Sequence, residues 1–168
     1  RGLAGPLDAI AARLDATQGR RPDADELLIA SGAIEGLELV SRTFLDAGDT
    51  VVVEAPTYLG AIMALRSYES AVTAIPLDED GLDVEALGRA LAAGLRPKLL
   101  YTIPDHQNPA GVTLSAQRRR ALVELAQKHG FRVGRGLARG GQEVLGQAGH
   151  EWATITRRHS ISGPKAPI

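Results

Sequence analysis

The sequence predicts an α/β protein, a three-layer α/β/α arrangement around a mostly parallel sheet. Two patterns predict it. Short apolar runs alternate with segments of helical spacing as far as Val133. The runs are apolar throughout instead of alternating with polar residues, as expected of strands covered by helices on both faces.

The elements follow in order. Leu7, Ile10, Ala11 and Leu14 have helical spacing. Leu27 to Ala30 is a short apolar run that reads as a buried strand meeting Ser31-Gly32. Ile34, Leu37, Leu39, Val40 and Phe44 then predict a helix, and Ala47-Gly48-Asp49 turns the chain. Val51-Val52-Val53 is a β-branched strand stopped by Ala55-Pro56. Tyr58 to Ser67 reads as a helix, Ala71 to Ile75 as a strand and Val84 to Ala92 as a helix. Leu99 to Ile103 is another strand. Ser115 is placed to cap a helix reaching about Lys128, and Phe131 to Val133 begins one more strand.

Past Val133 the pattern breaks. Residues 134–168 hold seven glycines, five basic and two acidic residues, and no sustained period. The expected organisation is therefore one domain over 1–133 and an irregular tail over 134–168.

Bulk composition narrows the function classes. A hydrophobic content of 44% suits a soluble globular chain, and a net charge of -1 gives no electrostatic case for nucleic acid or an anionic membrane. No apolar run approaches the ~20 residues needed to span a bilayer. The absence of cysteine excludes disulfides and thiolate metal sites, and a cytoplasmic location is the default; no metal site is expected.

Three segments carry chemistry. Ser31-Gly32-Ala33-Ile34 lies where an apolar run enters a helix, so free amides and the helix dipole face outward toward an anion. Glu54-Ala55-Pro56-Thr57-Tyr58-Leu59-Gly60-Ala61 follows a strand end, where open α/β sheets bind ligands. Ile103-Pro104-Asp105-His106-Gln107-Asn108-Pro109-Ala110-Gly111 places an Asn-Pro-x-Gly turn directly after a third strand. In this order the three resemble the fold-type I pyridoxal-phosphate aminotransferases over roughly residues 5 to 133. The class I/II branch with 2-aminoadipate transaminases, and the aminotransferase-like domain of MocR-type regulators, are the nearest in flavour.

The resemblance implies a fragment of the fold-type I large domain, pyridoxal 5'-phosphate as cofactor, and an amino acid and a 2-oxo acid as substrates. It implies a homodimeric family, and a chain lacking the small domain and the later strands. By the same resemblance Gly32, Ala33 and Ile34 form the phosphate cradle, the Tyr58 ring stacks on the cofactor's pyridine, and Asn108 donates its amide to the phenolic oxygen. The family usually carries Ser-Gln where this chain has Ala33-Ile34, which leaves backbone donors only. His106 reads as a loop residue, and Arg118-Arg119-Arg120 as a solvated helix face.

Two groups that amino transfer requires are out of place. Transamination needs a lysine to hold the cofactor covalently and move a proton, and a carboxylate against the pyridinium nitrogen. The family's aspartate follows the strand after the Asn-Pro-x-Gly helix, yet no aspartate occurs after Asp105. One codon choice for Gly134 to Gly140, GGA CGT GGC CTG GCG CGA GG, reads Asp-Val-Ala-Trp-Arg-Glu when shifted by one base. A frame-shifted tail is therefore expected. Of the three lysines, Lys98 and Lys128 read as surface charges. Lys165 is a weak catalytic candidate, because Ser160-Ile161-Ser162-Gly163-Pro164-Lys165 lacks the family's Ser-x-Ser-Lys adjacency. The expected function is that of an aminotransferase lineage in a chain itself incomplete and inactive. The alternative is a MocR-like domain that binds cofactor without turnover.

Overall fold

The structure, a computed structural model, describes residues 4–23 and 25–136. The expected tail and Lys165 lie outside these residues, apart from 134–136.

Among the described residues five helices and five strands follow one another as α1 (Ala4–Gln18), α2 (Ala33–Phe44), β1 (Thr50–Ala55), α3 (Leu59–Arg66), β2 (Ala71–Asp78), β3 (Gly81–Leu82), α4 (Val84–Ala92), β4 (Leu99–Thr102), α5 (Ala116–His129) and β5 (Arg132–Arg135). They form one sheet in the order β3-β2-β1-β4-β5. β1 runs parallel to both β2 and β4, and β4 runs parallel to β5. Only β3 is antiparallel, turning back on β2 through the two-residue loop Glu79-Asp80.

The sheet separates two apolar layers, which explains why its central strands β1 and β4 carry buried apolar residues on both sides. Val52, Leu100 and Val133 face α4 and α5, packing with Leu87, Leu91, Leu122 and Phe131. Val51, Val53, Leu99 and Tyr101 face the other way, toward Leu37 of α2 and Ala61, Ala64 and Leu65 of α3. The expected three-layer, mostly parallel architecture is what forms.

Helix limits follow local chemistry. The Asp83 carboxylate accepts from Ala86 N at 2.8 Å and caps α4. Ser115 accepts from Arg118 N and caps α5, as expected, while Gly130 at φ 74° ends that helix in the left-handed region that glycine tolerates.

Two expectations are corrected. Leu27 to Ala30 is not a strand: it has no regular structure, and Leu28 and Ile29 are 60% and 42% exposed. An apolar run becomes a strand only beside an edge that pairs its amides and carbonyls, and no described strand lies beside this one. Nor is Arg118-Arg119-Arg120 a uniformly solvated face. Arg118 grips Asp78 Oδ2 at 2.7 Å and Gly81 O at 3.0 Å, and Arg119 bonds Asp105 Oδ1 at 2.7 Å and Leu114 O at 2.8 Å.

Candidate active site

A cleft of about 630 Å³ opens at the carboxyl ends of β1 and β4, against the start of α2. Such a volume suits a small organic ligand. Ser31, Gly32, Ala33, Ile34, Tyr58 and Asn108 line it together with Glu35, Glu38, Tyr101 and Ile103. All five residues singled out from the sequence as cofactor contacts thus converge on one cavity, from three segments far apart in the chain.

Each wall has a local cause. Gly36 N donates to Gly32 O at 3.1 Å, the first bond of α2, so the amides of Ala33, Ile34 and Glu35 precede any intrahelical acceptor. These amides and the helix dipole form the cleft's positive end. Tyr58 sits just before α3, its ring half-buried against the α2–α3 side of the core. That ring lies directly over Gly60: a Cβ there would fall 2.5 Å from Tyr58 Cζ. Glycine at 60 is therefore what lets the aromatic ring occupy the wall.

Asn108 is exposed at the cleft, and no described residue hydrogen-bonds its side-chain amide. The loop that carries it is held from beneath. Gln107 N donates to Val112 O at 2.8 Å, and Leu114 N to Pro104 O at 2.8 Å. Asp105 is clamped by Arg119 at 2.7 Å and Arg135 at 2.8 Å, fixing the loop's first half to α5 and β5.

Glu54 and Gln107 were not assigned a role from the sequence, yet they organise the site. Glu54 is 2% exposed, a carboxylate in an otherwise apolar strand, and that misfit is the signal that could have found it. It accepts from the Thr102 hydroxyl, from Ile103 N at 3.2 Å and from Gln107 Nε2 at 2.9 Å. Burial pushes its pKa up, partly offset by the bonds from Thr102, Gln107 and Ile103. Tyr101 is likewise pushed up to about 12 by burial and then by its neighbours Glu54 and Tyr58, so its hydroxyl stays neutral. Glu35 goes the other way, held below the usual carboxylate range by the hydroxyl and amide of Ser31.

The cleft fits the binding of a flat aromatic ligand with an anionic end, supplying amides, a ring and a free amide donor. It does not supply covalent chemistry among the described residues. Lys98 is tied to Asp46 and Asp49 at 2.8 and 2.5 Å, before β4, and Lys128 lines a groove between α4 and α5. Among the described residues no lysine, arginine or histidine lines the cleft, and the carboxylates that do, Glu35 and Glu38, stand in the first turns of α2. On β5, Gly134 and Gly136 occupy the sheet face that bears Tyr101, and the space beside Gly136 is filled by the Tyr101 hydroxyl. Arg135 faces the opposite side and is engaged by Asp105. No carboxylate from this strand reaches the cleft.

Known proteins resemble this chain in sequence and fold. The family model for aminotransferase class I and II matches residues 5–133. Aromatic-amino-acid aminotransferase 1 of Thermococcus litoralis is 44% identical over 110 residues, 63% of this chain and 26% of its own length. The 2-aminoadipate transaminase of Thermus thermophilus is 39% identical over 115 residues, 68% of this chain and 28% of its own. The solved kynurenine aminotransferase of Pyrococcus horikoshii, in complex with PMP, superposes with a TM-score of 0.73 at 41% identity, covering 79% of this chain and 34% of that one. The chain thus spans between a quarter and a third of the length of these relatives.

Proposed function

The chain belongs to the class I and II aminotransferases, and from that membership we propose that its cleft holds pyridoxal 5'-phosphate without carrying out amino transfer by itself. The observation behind this reading is the convergence of Gly32, Ala33, Ile34, Tyr58 and Asn108 on one cavity that no lysine among the described residues lines. When bound, the cofactor supplies the electron sink on which transfer between an amino acid and a 2-oxo acid depends. The first amides of α2 would hold its phosphate, the Tyr58 ring would lie against its pyridine, and Asn108 would donate to its phenolic oxygen. With Ala33 and Ile34 contributing no side-chain donors, and Glu35 and Glu38 nearby, the phosphate is held by backbone alone and against like charge. Binding is accordingly weak.

The solved relatives support the cofactor assignment: the Pyrococcus horikoshii structure holds PMP, and that of LysN from Thermus thermophilus holds N-(5'-phosphopyridoxyl)-L-leucine. Their names span kynurenine, 2-aminoadipate and aromatic amino acids, so the substrate class proposed here goes no further than an amino acid and its 2-oxo acid partner. The same observation, a cradle that no lysine among the described residues lines, is compatible with a cofactor-sensing MocR-like role. A basic winged-helix segment on the same polypeptide would select it.

The test is cofactor titration of the purified chain followed by borohydride reduction and peptide mapping. Reversible binding is expected, weakened roughly tenfold by Asn108→Ala, with no reduced adduct. A stable adduct on Lys165 together with amino transfer would overturn the claim of inactivity, and no binding at all would overturn the cofactor assignment.

A further inference from the structure

We infer that Gln107, gripped by the buried carboxylate of Glu54, is a positioning residue that sets the spacing between the Tyr58 ring and the Asn108 amide by clasping together the two loops that carry them. This rests on the cofactor reading of the cleft and adds to it a residue that touches no ligand.

The clasp is built from four bonds. Gln107 Nε2 donates to Glu54 Oε2 at 2.9 Å and to Pro56 O at 2.7 Å. Gln107 Oε1 accepts from Ala110 N at 2.8 Å. Glu54 Oε2 also accepts from Ile103 N, where β4 gives way to the Asn108 loop. One buried amide therefore joins the end of β1, the turn into Tyr58 and the turn around Asn108-Pro109. Tyr58 lies two residues beyond Pro56, and Asn108 lies between Gln107 and Ala110. Both Tyr58, half-buried, and Asn108, exposed, line the cleft, while the amide beneath them is 2% exposed. A ligand gripped by ring and amide at once is sensitive to their separation, and here one side chain fixes it.

The arrangement is also economical in charge. Among the described residues the Glu54 carboxylate has no cationic partner; it accepts from a hydroxyl, a backbone amide and the Gln107 amide. A glutamine at 54 keeps an oxygen toward Ile103 and Gln107, with its own amide toward the Thr102 hydroxyl, which can accept. Glu54→Gln is therefore the conservative variant that preserves the clasp, and Gln107→Met, of similar length, removes it.

The experiment uses the 168-residue chain with pyridoxal phosphate as probe. Binding is measured by titration, and the phenolic oxygen's environment by the pH midpoint of the bound cofactor's absorbance change. Gln107→Met is expected to weaken binding roughly tenfold and to shift that midpoint in the direction that Asn108→Ala shifts it. Glu54→Gln is expected to stay near the unsubstituted chain in both. The double variant Gln107→Met with Asn108→Ala should lose less than the product of the two single losses, because the first acts through the second. Full multiplication with an unmoved midpoint would reduce Gln107 to a structural residue and overturn the inference, while leaving the cofactor assignment intact. Should the unsubstituted chain bind no cofactor, the cofactor reading fails and amide exchange decides on the clasp. Protection of the Ala110 amide that Gln107→Met abolishes supports it, and an Ala110 amide unprotected from the start refutes it.

Discussion

At the scale of single residues, Glu54 sits in an environment at odds with its chemistry. Its carboxylate is buried with donors but, among the described residues, no cation, and burial raises its pKa from the ordinary 4.5. A carboxyl with a raised folded pKa keeps its proton in the folded state over a range where the unfolded chain has released it. Stability therefore falls as pH rises from about 4.5 through the folded pKa, and levels off above it. Glu54→Gln does not titrate. The difference in unfolding free energy between the native chain and Glu54→Gln, measured by urea titration at a series of pH values, should drift against the native chain across that window and be flat on either side. A difference that moves in the native chain's favour with rising pH would mean that the hydrogen bonds from Thr102, Gln107 and Ile103 outweigh burial. At this scale much of the site was legible: Tyr58 and Asn108 announce themselves through the proline turns beside them. Glu54 and Gln107 did not, because a hydrogen-bonding role depends on partners about fifty positions away that no local pattern names.

Among the elements, legibility followed the source of each one's stability. β1, β4 and the helices α2, α4 and α5 were readable because period, caps and burial agree within a short window. The hairpin of β2 with β3 was missed, though Asp80-Gly81 before Leu82 is a turn signal of the right kind. The run Leu27 to Ala30 was misread because apolarity marks a wish for burial, while a strand also needs an edge. The start of α3 is the element boundary that matters most to the cleft. Tyr58 occupies its first, non-helical position, and its ring rests over Gly60 because nothing projects from that α-carbon. In Gly60→Ala the new methyl meets the ring's outer atoms, which can swing aside, so the ring rather than the backbone gives way. The expected result is cofactor affinity down by roughly tenfold with the thermal midpoint little changed or slightly raised, since alanine is the better helix former. A fall in the thermal midpoint with affinity intact would show that the ring holds its place and the helix start yields instead.

For the whole molecule, the division between the two faces of the sheet decides what is stable and what is exposed. The α4–α5 layer is closed, with Leu87, Leu122 and Phe131 at 0% exposure. The α2–α3 layer is open on its outer side: Leu59 and Met63, one helical turn apart on α3, are 67% and 66% exposed, and Ile34 and Leu39 of α2 are 46% and 37% exposed. Exposed apolar side chains grouped in this way promote association between copies. They contribute little to folding, because α3 is anchored instead by Ala61, Ala64 and Leu65 on its inner face. Replacing both outer residues, Leu59→Lys with Met63→Glu, puts opposite charges at i and i+4 and should leave the unfolding free energy within about 0.5 kcal/mol of the native chain. The concentration at which light scattering first rises should increase severalfold. A loss of several kcal/mol would instead show that the outer face of α3 is covered in the folded chain, and an unchanged scattering threshold would place the association surface elsewhere, with Leu28 and Ile29 at 60% and 42% exposure the next pair to substitute.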